Sequence, residues 1–288
     1  MHGLERCPGD GWLALLGGGE FSFGQTLAAD RAWLARCGPG PVGFVPAASG
    51  SNDYPRHFAA YLGEAFGREV ETVPIYRARD ARRGRNAERL REVAAAYLGG
   101  GVTDHLLEAM AGSPAAAALG ERLAGGGMVV AIAAAAQAAG AVARSIAPGQ
   151  TLPGFGWLPA GVVEPNFDPA HDRRLRRLLR LPGVRWGLGL PAGSAVLLGP
   201  GDAGEVVGTV FRLDGPEADL EVLSEEEGSG SAPPPRAVGG GKKADDEEAA
   251  ADHEEAAGDE PGGDRGDGSD GGDGSDRDDR GGGRAGGG

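Results

Sequence analysis

The chain alternates short, nearly continuous apolar runs with longer stretches in which apolar positions recur every three or four residues. That is the pattern of buried strands joined by amphipathic helices. Strands are predicted at 12–16, 42–45, 70–75, 95–98, 128–132, 161–164, 184–190, 195–198 and 206–213. Helices are predicted at 25–36, 54–66, 85–94, 104–110, 115–123, 136–143 and 172–181, with Asp104 and Asp172 as residues whose carboxylates open a helix. Strand and helix in alternation imply an α/β fold of three layers, a mostly parallel sheet flanked by helices. After about residue 181 helices give way to strands, so the sheet is expected to end in an antiparallel edge or hairpin.

Charge divides the chain in two. Of the net −14, the segment 224–288 carries −12, and that segment is rich in Gly, Asp and Glu, has no aromatic residue and has Val238 as its only aliphatic larger than alanine. Such a segment buries too little apolar surface to offset its ordering entropy. The expected organisation is therefore one α/β domain at 1–223 and a disordered acidic tail at 224–288. The tail is expected to contact basic partners. Its Asp-Gly and Ser-Asp pairs lack the fixed spacing of a calcium loop.

A near-neutral body argues against a nucleic-acid partner, which needs clustered Lys and Arg. The arginines of 77–91 read as a solvated helix face. No apolar run approaches the ~20 residues of a membrane span, and the first apolar stretch, Trp12 to Leu16 with acidic residues beside it, is unlike a signal peptide, so the expectation is a cytoplasmic protein without membrane contact. Cys7 and Cys37 are expected to be reduced thiols, with no metal site and no cofactor. Apolar helix faces serve a core or a subunit contact equally well, so the sequence sets no oligomeric state.

In open α/β sheets, ligands sit beyond the carboxyl ends of the strands. The loops there are Gly17-Gly18-Gly19-Glu20, Pro46-Ala47-Ala48-Ser49-Gly50-Ser51, Gly99-Gly100-Gly101, Ala133-Ala134-Ala135-Ala136 and the stretch 165–168. Glycine at such places lets backbone approach a ligand, but it also simply permits tight turns. In their order and spacing the loops resemble the cyanophycinase and dipeptidase E family, serine peptidases with a class I glutamine amidotransferase-like fold. The carrying pieces are Leu15-Leu16-Gly17-Gly18-Gly19-Glu20, Val45-Pro46-Ala47-Ala48-Ser49, Tyr97-Leu98-Gly99-Gly100-Gly101, the small-residue segment 128–141, Val162-Val163-Glu164-Pro165-Asn166-Phe167, and Gly187-Leu188-Gly189-Leu190-Pro191-Ala192-Gly193-Ser194.

The resemblance implies a serine on a sharp strand-to-helix turn, Gly-x-Ser-x-Gly, with a histidine base and an acidic partner. Set on Ile132-Ala133-Ala134-Ala135-Ala136, the motif puts the nucleophile position at Ala134 and replaces a turn glycine with Ile132, so the strained elbow is expected to have relaxed into helix. The histidine of a His-Phe pair falls on Asn166, the acidic residue on Ala192, and the Gly-Gly-Asp-Gln loop reads Gly100-Gly101-Val102-Thr103. The implied protein is a catalytically degenerate member with a binding or scaffolding role. Its ligand would be a small peptide or amino-acid-like molecule held among Gly18, Gly19, Glu20, Ser49, Gly100, Gly101, Thr103, Ala134 and Asn166. Two alternatives stand beside this. Activity on aspartyl peptides could persist through displaced residues, with His171 as base and Ser145 or Ser194 as nucleophile, although each sits in an ordinary structural context, as do His57 and His105. The tail could instead be the functional element.

Overall fold

Strand β1 (Trp12–Leu16) lies inside a seven-stranded sheet in the computed structural model, which describes residues 4–224. The expected tail falls outside these residues, apart from Ser224. The sheet also holds β2 (Val42–Val45), β3 (Val70–Thr72), β4 (Ala95–Leu98), β5 (Met128–Ile132), β10 (Ala195–Leu198) and β11 (Gly204–Val207), in the order β11-β10-β1-β5-β4-β2-β3. The five strands β1 to β5 run parallel to one another, and β10 and β11 close one side as an antiparallel edge, as expected.

Helices cover both faces because side chains alternate along each strand. Ala14 and Leu16 of β1, with Phe44, Tyr97 and Val130, pack against α1 (Leu27–Leu34) and α2 (Tyr54–Phe66) through Trp33, Phe58 and Leu62. Leu13 and Leu15, with Val45, Leu98 and Val129, face the other way. There they meet α4 (Gly84–Glu92), α5 (Thr103–Met110), α6 (Pro114–Ala124) and α7 (Ala134–Ala138) through Leu90, Leu106, Leu119 and Ala136. The short α3 (Ala78–Ala81) precedes α4, and Arg82, Arg83, Arg85 and Arg91 are solvent-exposed.

The remaining strands depart from a single sheet. β8 (Gly161–Pro165) and β9 (Trp186–Leu190) are parallel to each other and join β12 (Thr209–Leu213) and β13 (Glu221–Ser224) in a second sheet, β13-β12-β9-β8. The expected strand 206–213 is in fact two. Gly208 has φ +69, a left-handed turn that ends β11 in the first sheet and starts β12 in the second. Helix α8 (Arg173–Leu179) packs Leu175 and Leu178 against Val162 and Leu213 of the second sheet and against Phe167 just after β8. A two-stranded ribbon, β6 (Val142–Arg144) with β7 (Thr151–Pro153), replaces the end of the helix expected at 136–143.

Smaller corrections have local causes. β3 stops at Thr72 because Pro74 lacks the donor a longer ladder needs. The division expected between 223 and 224 cuts β13, which continues to Ser224. Asp104 and Asp172 stand at helix starts without side-chain caps to their own helices. Asp104 accepts from Ser145 Oγ and from the Ile146 N–H, and Asp172 accepts from Arg176 Nε at 2.7 Å. Among the described residues no helix is long and apolar enough to cross a membrane.

Candidate functional site

The carboxyl ends of β1, β4, β5 and β8 open onto a cleft of about 790 Å³. Its wall includes Gly18, Gly19 and Glu20 after β1, Gly100 and Gly101 after β4, Ile132 and Ala133 at the end of β5, Asn166 after β8, and Ala192 after β9.

At its centre the chain turns from β5 into α7 through one residue. Ala133 has φ 52 and ψ −112, and apart from Asn166 (φ 48) it is the only non-glycine residue with positive φ among those described. Its N–H donates to Leu16 O at 2.9 Å, extending the β1–β5 ladder, and its carbonyl accepts from the Gln137 N–H at 3.0 Å, opening the helix. Ile132 remains a strand residue opposite Leu16. The elbow has not relaxed into helix, contrary to expectation. The apex is also one residue earlier than expected: Ala134 lies buried in the first turn of α7, away from the cleft wall, while Ala133 is half-exposed on it. The turn therefore reads Ala131-Ile132-Ala133-Ala134-Ala135 with Ala133 at its point.

Asn166, just after β8, lines the same cleft. Its N–H donates to Gly17 O at 2.8 Å, and its side chain lies over Gly18, where a Cβ would come 2.4 Å from Asn166 Oδ1. Gly18, with φ +125, is glycine for both reasons. Ala192 is exposed on the loop between β9 and β10, which is tied to β1 by the Gly193 N–H to Gly18 O, at 2.9 Å.

Not every expected residue arrives. Ser49 spends its hydroxyl on Pro46 O within its own turn, and Ser51 lines the cleft instead. Thr103 is buried behind α7, donating to Gln137 Oε1 at 2.8 Å, and so braces the elbow helix. Nearby, Glu164 is buried beside Arg144, whose Nη2 donates to it at 3.1 Å, and burial pushes its carboxyl above the usual range.

The residues considered as a displaced triad are scattered. Ser145 Oγ donates to Asp104 Oδ1 at 2.5 Å, Ser194 Oγ donates to Pro191 O at 2.8 Å, and His171 pairs with Asp168 at 2.6 Å on the surface. None of the three lines the cleft. His105 is exposed on α5. His57 does line the cleft, from α2, together with Asp53 and Tyr54. The sequence offered one signal for that trio: Ser51 begins the turn after β2, and its Oγ accepts from the Asp53 and Tyr54 N–H groups to start α2. Phe21 stacks on Tyr54 with ring centres 5.9 Å apart, and burial raises the Tyr54 hydroxyl above its usual range. Among the described residues no three His, Cys, Asp or Glu side chains converge as metal ligands.

Solved structures share this architecture. A peptidase from an acI-B1 Actinobacterium superposes with a TM-score of 0.62 at 21% identity, covering 76% of this chain and 96% of that one. A putative peptidase E protein from Listeria monocytogenes EGD-e superposes with a TM-score of 0.52 at 14% identity, covering 69% and 98%. At these identities the likeness is one of fold. A comparison with curated protein sequences gives no match. The profile of Peptidase family S51 matches residues 13–202, a span that runs from β1 past β10 and includes the elbow, Asn166 and the loop of Ala192, and on that match the chain belongs to peptidase family S51.

Proposed function

We propose that this chain is a non-catalytic member of its family, a peptidase-like protein that uses the cleft to bind a small peptide or amino-acid-like ligand. The observation that carries the reading is Ala133 at the apex of the strand-to-helix turn, where a hydrolase of this architecture presents its nucleophile. A methyl group cannot attack a carbonyl. Removing the nucleophile of a triad hydrolase costs on the order of 10⁶ in rate. Asn166, just after β8, offers an amide where a base would be needed, and Ala192 offers no carboxylate.

Binding survives this loss because the cleft itself is kept. Its glycine walls, its volume and its polar rim of Glu20, Ser51, Asp53 and Asn166 do not depend on a nucleophile. The size falls within the range of small-molecule sites.

The test is turnover of α- and β-aspartyl dipeptides by the full chain and by a variant carrying Ala133→Ser, Asn166→His and Ala192→Glu, with Ala134→Ser in the same background as a control. The expected result is no hydrolysis by the unaltered chain, and fluorophosphonate labelling only where serine stands at 133. Hydrolysis by the unaltered chain refutes the reading. Labelling through position 134 in place of 133 refutes the register.

A further inference from the structure

Away from the cleft, a second hollow of about 400 Å³ lies between α5 and the β6–β7 ribbon. It is lined by Asp104, Leu107, Glu108 and Ala111 from α5 and its end, and by Leu152 and Pro153 of β7. The turn joining the two ribbon strands stands beside it, because Asp104 Oδ2 accepts from the Ile146 N–H at 3.0 Å. That turn is closely tied. Ser145 Oγ donates to Asp104 and accepts from the Ala147 N–H, the Ser145 N–H donates to Gln150 O, and the Gln150 N–H donates to Ala147 O. Ile146 is nonetheless 68% exposed. Its side chain is held out in water by a turn with little freedom to withdraw it, and such preorganisation lowers the ordering cost of covering it.

Two charges without partners accompany the turn. Arg177 of α8 reaches it, with Nη2 3.3 Å from the place a Cβ would take at Gly149, and is exposed with no ion-pair partner among the described residues. Glu108, in the wall of the hollow, is exposed and likewise unpaired among them. The neighbouring carboxylates are already engaged, Asp104 with the turn and Glu164 with Arg144. An apolar centre accompanied by one free cation and one free anion is complementary to itself, since a two-fold axis at the centre sets the cation of each copy against the anion of the other. Arginine suits the place: its aliphatic stem covers apolar surface while the guanidinium reaches a carboxylate.

We propose that this surface docks on a second copy of the chain. In the resulting two-fold dimer Ile146 packs against its own counterpart on the axis, and Arg177 of each copy lies across the other's hollow with its guanidinium at Glu108. No cleft residue takes part, so the pairing is independent of whether the cleft binds or hydrolyses its ligand. Built from one turn and two helix surfaces, the contact belongs with small, reversible interfaces. The net charge of −14 on each chain opposes it at low salt.

The experiment is sedimentation equilibrium of the full chain at about 0.15 M salt, where the Debye length is about 8 Å. Between about 1 µM and about 300 µM it should show monomer and dimer in exchange, with a dissociation constant on the order of 10–100 µM. Ile146→Asp sets two like charges on the axis and should weaken the dimer by more than about tenfold. Each Arg–Glu pair occurs twice, so Glu108→Arg or Arg177→Glu, at about two- to fivefold per pair, should weaken it by about four- to twenty-five-fold. The double swap of Glu108→Arg with Arg177→Glu should recover to within about threefold of the parent, a gain that a folding defect in either single variant cannot produce. A chain that stays monomeric throughout, an assembly larger than a dimer, a dimer indifferent to Ile146→Asp, or a swap no better than the single reversals would overturn the proposal.

Discussion

Replacing Ala133 by glycine should stabilise the protein, while the same change one residue later should destabilise it. At Ala133 the backbone sits at φ 52, ψ −112, a region that side-chain-bearing residues avoid at a cost of about 1–3 kcal/mol. Glycine removes most of that strain. Two terms oppose it: the greater entropy of a glycine in the unfolded chain, about 0.4–1 kcal/mol, and the loss of a half-exposed methyl, about 0.4 kcal/mol at half the usual value for a buried carbon. The net expectation is a gain of about 1 kcal/mol. Ala134 has ordinary helical surroundings and is buried, so Ala134→Gly relieves no strain and loses helix propensity and packing together. Its expected loss is about 1–2 kcal/mol. Urea denaturation of both variants beside the parent, with equal m-values, reads the difference as opposite shifts of the midpoint. If Ala133→Gly falls as far as Ala134→Gly, the turn carries no strain and the apex has been assigned to the wrong residue.

Other consequences follow from single contacts. Gly18→Ala puts a methyl 2.4 Å from Asn166 Oδ1 at a φ of +125, so it should displace the Asn166 side chain and lower both stability and ligand affinity, seen by thermal melting and titration. Gly208→Ala meets only ordinary van der Waals contact, with Ser194 at 3.7 Å, but keeps φ +69, so a loss of about 1–2 kcal/mol is expected from backbone strain, again by urea denaturation. Asp30 is fully buried on α1, where it accepts from Trp33 Nε1 and Tyr61 Oη, each at 2.8 Å; burial raises its carboxyl above the usual range despite the opposing hydrogen bonds. A folded-state value above the unfolded one means that the stability it contributes is complete below about pH 4 and is lost as pH rises through the folded value. Asp30→Asn should therefore gain on the parent in denaturation midpoints as pH rises above about 4, and a difference that stays constant through that rise would refute the assignment.

The sequence was legible where side chains differ and opaque where they repeat. Continuous apolar runs such as Leu13 to Leu16 and Val42 to Val45 are buried on both faces and marked the parallel strands directly. The elbow was harder, because Ala133 to Ala136 carry identical side chains. A serine and two glycines would have fixed the register of the turn, and without them only the dihedral angles do. The split of the sheet was hidden for a similar reason: Val206-Val207-Gly208-Thr209-Val210 alternates like one strand, and a single left-handed glycine divides it. Ser49 and Thr103 were drawn into the candidate site by their closeness in sequence to the glycine loops, whereas their hydroxyls are committed to Pro46 O and Gln137 Oε1. Tyr54 and His57 were missed because they belong to a helix whose apolar spacing reads as plain packing.

Strained backbone is often taken as a sign that a site still does chemistry. Here the local hydrogen bonding gives the strain another cause. The Ala133 N–H belongs to the ladder with β1, and the Ala133 carbonyl belongs to the first turn of α7. One residue therefore ends the strand and begins the helix, with no loop between β5 and α7 to absorb the change of direction. The angle at Ala133 is imposed by the junction of β5 and α7, and the junction is held by Leu16 on one side and Gln137, braced by Thr103, on the other. Moving the apex would cost the ladder bond or the helix. The elbow thus persists whether or not a hydroxyl stands on it, and its geometry reports the fold. What distinguishes a working hydrolase from a binding protein on this scaffold is then carried by the side chains at the apex, at Asn166 and at Ala192, which is why the decisive substitutions are the ones at those positions.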